Sequence, residues 1–268
     1  MTAEVLNSLT SRSIALASQE QKAVKKIKLK VFWKTTNFWT EAAIKEYHNT
    51  APAIAERLVH EQYWDKNGSI KNNKFTCEDF AIRILCEFAS SRQLPVKLKT
   101  GVRTYRNMEI YQPAEHDRYL SHMYGFAEMV MLTYGAPDMQ RVGENVTALQ
   151  TPAELMPGDI LAQAHDRPGN VAHHVQVAMS VSTDQIEIKQ GNTSGISVRP
   201  FTTVQRLLGS NMADPQNDGY AGMPIENGVY NLNGSNWNYR NLTTGSSRED
   251  FLKIFQLYRW NFMEFNQT

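Results

Sequence analysis

The chain has 268 residues, with 28 lysines and arginines against 27 aspartates and glutamates, and 41% of its residues are hydrophobic. A net charge of +1 excludes a polyanion binder built on bulk charge. No run of about 18 apolar residues occurs, which excludes a membrane-spanning helix. The length corresponds to one large domain or two small ones, with enough apolar sequence to bury a core.

Residues 1–21 are weakly patterned, a loose arm or a first helix, without the basic start and continuous apolar stretch of a secretory signal peptide. Further on, Lys26, Lys28 and Lys30 alternate with Ile27, Leu29 and Val31. That period of two predicts a strand with one apolar face and a solvated edge protected by lysines. Residues 40–64 read as helical, broken into two helices at 49–52 because Pro52 fits a first turn. A polar loop is expected over 65–73 and a helix over Cys77–Ser91. Another helix, 116–134, is apolar nearly all round and therefore expected to be buried, with Gly135 and Pro137 stopping it. From about Val142 the pattern changes to short β-branched runs, predicting strands at 159–164, 172–181, 185–189 and 196–199. Residues 209–250, rich in Gly, Asn and Ser, read as a long surface excursion, and the aromatic stretch 251–265 packs back on the core. Helices first and a sheet afterwards make an α+β chain, most economically a single domain.

Two cysteines, Cys77 and Cys86, cannot build a disulfide framework. On one helix they stand roughly 13 Å apart on opposite faces, so both are expected as free thiols in a reducing compartment. Thr76 and Asp79 have the spacing of a capping box, which sets Cys77 at the first helical position. Unpaired amides and the macrodipole favour an anion there, so the thiol is expected to be acidified, and the same amides suit an oxyanion. Cys86, beside Leu85 and Phe88 in mid-helix, reads as core. Pro157-Gly158-Asp159 turns into one strand, and His173-His174-Val175-Gln176-Val177 forms another. Adjacent strand residues face opposite ways, so the two histidines cannot share a task. The next strand ends in Gln190-Gly191-Asn192, which brings Gln190 or Asn192 beside the inward histidine. Nucleophile, base and orienting amide on successive elements follow the logic of a catalytic triad.

No G-x-S-x-G, G-x-G-x-x-G, P-loop or H-E-x-x-H motif occurs. His116 and His122 are too far apart for a one-turn metal pair and there is no C-x-x-C, so no metal or cofactor is expected. His48, His60 and His165 read as solvated. Tyr258, Trp260, Phe262 and Phe265 read as core rather than as a platform for nucleic acid or sugar.

A cysteine at a helix start, then P-G-D-I-L, then H-V-x-V on a strand and Q-G-N after the next, resembles the papain-like cysteine peptidases and amidases of NlpC and CHAP type. The resemblance covers roughly residues 70–200. Residues 174–181 resemble the H-V-G-I-V-V-S-V strand of those families, and Gln190-Gly191-Asn192 resembles E-G-N. It implies a papain-like fold, helices packed on a small antiparallel sheet in one domain of 268 residues. Residues 1–64 would be an N-terminal helical extension, 70–200 the catalytic core with 116–134 as an inserted helix, and 201–268 a loop-rich C-terminal extension. It implies that Cys77 attacks a carbonyl, that His174 is the base and that Gln190 or Asn192 orients the imidazole. The implied reaction is cleavage of amide bonds in bacterial peptidoglycan without a cofactor. Members with this chemistry and no signal peptide are often antibacterial effectors exported by a contact-dependent apparatus such as type VI secretion. The resemblance therefore further implies action in the periplasm of a target bacterium, with an immunity protein and a secretion component as partners, and no nucleic acid. Three departures stand out: Glu78 follows the cysteine where Ser or Gly is usual, the link to the P-G-D turn is longer, and Gln190 replaces a carboxylate. Two further readings remain open, a papain-like toxin acting on a host protein or lipid, and a non-catalytic module that binds a partner through its lysine strand.

Overall fold

The computed structural model describes residues 26–64, 67–193 and 220–267. The N-terminal arm and the strand expected at 196–199 lie outside the described residues. In chain order the elements are β1 (Leu29–Val31), α1 (Glu41–His60), β2 (Gln62–Trp64), β3 (Ile70–Asn72), α2 (Cys77–Ser91), β4 (Lys97–Lys99), β5 (Thr104–Arg106), β6 (Met108–Ile110), α3 (Pro113–His116) and α4 (Met123–Met131). There follow β7 (Val146–Leu149), β8 (Ile160–Gln163), β9 (His174–Val181), β10 (Gln185–Gln190), β11 (Glu226–Asn233), β12 (Asn236–Asn241), β13 (Ser247–Arg248), β14 (Phe255–Trp260) and α5 (Phe262–Phe265). Eight strands form one antiparallel sheet in the order β13-β12-β11-β10-β9-β8-β14-β7, so the chain is α+β.

The sheet buries both faces. On one face α2 lies against Val175 and Val177, with α1 contributing Tyr47, Ala51, Ala55 and Leu58, and α4 contributing Phe126 and Val130. Strand alternation puts Leu161, Ala178, Ile188 and Tyr230 into a second cluster on the other face. Each fully buried aliphatic or aromatic side chain of this kind stabilises by about 1.5–3 kcal/mol, and α2 is buried nearly all round, from Cys77 through Phe80, Ile84 and Leu85 to Ala89. That burial fixes its first turn, where the candidate nucleophile sits.

Several expectations need correction. The helix over 40–64 is not broken at 49–52: α1 runs unbroken through Pro52 and ends at His60. Its buried stripe crosses the proline, and that packing outweighs one lost backbone bond. The expected polar loop at 65–73 contains β3, which pairs with β2. The single buried helix 116–134 is instead two pieces, because His122 caps α4 by accepting from the Gly125 amide at 3.3 Å. His116 ends α3 fully buried, accepting from the Gln112 amide at 2.8 Å and bonding Glu109 Oε1 at 2.7 Å. In the lysine strand the faces are exchanged. Lys30 is buried and its Nζ donates to the carbonyls of His116 and Tyr119 at 3.1 and 2.5 Å, while Ile27 and Leu29 are exposed. His48 is buried too, its Nδ1 bonded to the Pro157 carbonyl at 2.7 Å. Finally, 209–250 is not merely a surface excursion, since β11, β12 and β13 extend the sheet. Its asparagines bond across strands (Asn231 Oδ1 to Gln185, Asn227 Oδ1 to Lys189), filling places that β-branched residues usually take.

The P-G-D turn fixes the sheet to the helices. Gly158 has φ +88°, and a Cβ there would stand 2.7 Å from the Tyr47 ring. Asp159 is buried, accepting from the Met156 amide at 2.8 Å and from Arg259 Nη2 and Nε at 2.7 and 3.0 Å. Burial pushes the Asp159 carboxyl up, and Arg259 works against that rise. Arg259→Met is expected to cost about 3 kcal/mol by leaving this carboxylate alone in the core, read as a lower urea midpoint at pH 7. Among the described residues no helix is long and apolar enough to cross a membrane.

Candidate active site

The α2 N-terminus is built by a tyrosine. Thr76 occupies the N-cap with extended backbone but makes no side-chain cap bond, so the expected capping box does not form. Tyr220 does its work instead: its hydroxyl accepts from the Thr76 amide at 3.0 Å and donates to Asp79 Oδ2 at 3.1 Å. The strand-like bridge of Phe75 to Met223 holds the segment from the other side. Gln190-Gly191-Asn192 then runs directly against it. A Cβ on Gly191 would lie 2.5 Å from the carbonyl oxygens of both Phe75 and Thr76. Gly191→Ala is therefore expected to cost about 1–3 kcal/mol of overpacking and to displace the Cys77 turn, measurable as a melting shift with altered thiol accessibility.

Cys77 is 5% exposed, and its Sγ donates to Glu78 Oε2 at 2.9 Å. Burial pushes the thiol well above its ordinary value and the Glu78 charge adds to the rise, while the Val175 and Glu78 amides only partly oppose it. This corrects the expected acidification: at this helix start desolvation exceeds the pull of the amides. Cys86 is fully buried and is pushed up to about 12 by burial. The two thiols are both free.

Cys77 lines a cleft of about 800 Å³, shared with Glu78, Tyr134, Arg141, Arg167 and His173. The His173 Nε2 lies 3.0 Å from Asp166 Oδ1, and Gln163 Nε2 donates to Asp166 Oδ2 at 2.5 Å. Burial works to raise the Asp166 carboxyl, but the bonds from His173 and Gln163 outweigh it and hold it below the ordinary aspartate value. An ionised Asp166 thus orients the His173 ring.

His174 does not line this cleft. Its Nε2 donates to Gln190 Oε1 at 2.9 Å, the amide partner that the sequence pattern anticipates. Gln190 Oε1 also accepts from Gln176 Nε2 at 2.8 Å, and Gln190 Nε2 donates to Glu226 Oε2 at 2.9 Å. Glu226 accepts further from Asn241 at 2.7 Å, and Tyr230 donates to Gln176 at 2.8 Å. Burial lowers the His174 pKa, opposed by the Gln190 bond. Asn192 takes part through its carbonyl, which accepts from the Met223 amide at 3.0 Å. The structure therefore bonds His174 to Gln190 and places Cys77 and His173 on the lining of one cleft. No hydrogen bond joins Cys77 to either histidine.

The reason lies in strand alternation. Val175 and Val177 pack beneath α2 and His173, just before β9, opens on the cleft, while His174 and Gln176 turn toward Gln190 and Tyr230. The pattern H-V-x-V reads the same for either histidine when two stand side by side. Asp166, Tyr220 and Glu226 carried no motif. Glu226 stands opposite Gln190 on β11 and accepts from its side-chain amide. Among the described residues no three metal-ligating side chains converge. No protein-family model, curated protein or solved structure matches this chain.

Proposed function

We propose that the protein is a cysteine-dependent amide hydrolase with Cys77 as nucleophile, His173 as general base and Asp166 as the residue that orients the imidazole. One observation carries this reading: a single cleft holds a thiol at the first turn of a buried helix and a histidine fixed by an ionised aspartate. His173 takes the Sγ proton, and the thiolate attacks the carbonyl carbon. Helix-start amides receive the developing oxyanion, and the imidazolium protonates the leaving amine. Water, activated by the same imidazole, then hydrolyses the thioester. A helix carrying a cysteine at its start, laid on an antiparallel sheet, supports a papain-like arrangement for the fold.

The substrate class in this proposal is the peptide portion of bacterial peptidoglycan, and the biological role is that of a delivered antibacterial effector with an immunity partner. Arg141 and Arg167 on the cleft wall suit a peptide bearing carboxylates. Digestion of purified muropeptides, read by mass spectrometry, tests it. The expected result is gain of one water at an amide bond with wild type and none with Cys77→Ala. Intact muropeptides alongside cleaved protein substrates would move the proposal to a host-directed protease. A second reading keeps His174 as base, favoured by its bond to Gln190 and through it to Glu226; it requires the ring to reach Sγ from the opposite face of the strand.

A further inference from the structure

Glu78 occupies the position directly after the candidate nucleophile, and its side chain curls back onto it, with Oε2 2.9 Å from Sγ. The S–H is thus donated to Glu78 and to neither histidine. The other charged groups around it, Arg167 excepted, are already engaged. On α2 itself, Asp79 is bonded to Tyr220. From the segment after α4, Asp138 is paired with Arg141, and the Tyr134 hydroxyl donates to the Asp138 carbonyl at 3.1 Å. From the loop before β9, His173 is held by Asp166, and Arg167 lines the cleft without a carboxylate partner among the described residues. From β9 only the Val175 amide faces the sulfur. Among the described residues, Glu78 is therefore the one carboxylate bonded to Sγ.

We infer that Glu78 is a positioning residue that holds the Cys77 thiol protonated and turned from the base, so that the nucleophile is released only when the carboxylate swings away into the cleft. The inference rests on Cys77 being the nucleophile. In the closed pair the proton stays on sulfur and is donated to Glu78 Oε2. When the carboxylate leaves, Sγ is free to rotate toward His173, which receives the proton as the thiolate forms. Arg167 lines the same cleft and offers the displaced carboxylate a counter-charge.

The test needs no substrate. Iodoacetamide alkylation of Cys77 is followed by peptide mass mapping across pH in a Cys86→Ala background, for the parent and Glu78→Gln. Removing the charge is expected to move the alkylation midpoint down by about one pH unit, which makes alkylation at neutral pH about tenfold faster. Circular dichroism and melting curves establish that the variant is folded, and Glu78→Ser, read the same way, replaces it if it is not. Superimposable profiles for the parent and a folded Glu78 variant would overturn the inference. A shifted profile with muropeptides left intact would sustain the latch and reject peptidoglycan as the substrate. Cleaved muropeptides with an unshifted profile would do the reverse.

Discussion

Cys77→Ala is expected to abolish turnover while leaving the melting temperature within a few degrees of wild type. The thiol sits at the first helical position on a cleft wall, so alanine preserves the turn and water replaces the lost partner of Glu78. Cys86→Ala is expected to do the opposite. Its sulfur is fully enclosed on α2, and truncation leaves a small cavity costing about 1–2 kcal/mol. At this chain length that corresponds to about 2–4 °C of melting temperature per kcal/mol. Turnover of folded Cys86→Ala stays near wild type. A dead Cys86→Ala beside an active Cys77→Ala would remove the site from this cleft.

The second large effect separates the histidines. His173→Ala is expected to lower kcat by about a hundred- to ten-thousandfold, the range for loss of a general base, with little loss of stability because the side chain is partly exposed. His174→Ala is expected to spare the chemistry and weaken the fold. It strips a donor from Gln190 in a network that also holds Gln176, Glu226 and Tyr230, at a cost of about 1–3 kcal/mol. Its pH signature follows from linkage. Burial holds His174 below the ordinary histidine value, so in mild acid the unfolded chain binds a proton that the fold refuses. Stability from this site is full above about pH 6.5 and is lost as the pH falls through the folded value. His174→Ala should flatten that acid slope in urea titrations read at several pH values. A folded but inactive His174→Ala together with an active His173→Ala would return the base to His174.

Much of the frame was legible in the residues. The bounds of α2 and the strands β8, β9 and β10 follow from periodicity, because each buries a regular apolar set. The bond between His174 and Gln190 also followed from strand adjacency. Other features depend on distant partners. Pro52 signals a break, yet buried contacts on both sides carry α1 past it. Lys30 points inward because its ammonium donates to the carbonyls of His116 and Tyr119, far along the chain. The strands after residue 225 hide behind Asn and Gly, since their asparagines serve as cross-strand bonds. Of the site itself, Cys77 could be read from its place before an apolar run, but its environment could not. The carboxylate of Glu78 and the enclosing core raise a thiol that helix position alone would acidify. Which histidine shares its cleft is a fact of packing rather than of motif.

Acid quenching during muropeptide turnover, followed by peptide mass mapping, tests the central claim most directly. The account predicts an acyl group on the Cys77 peptide of wild type, released by hydroxylamine as a thioester should be, and none on Cys77→Ala. Continued turnover by Cys77→Ala, with no adduct on wild type, would contradict it.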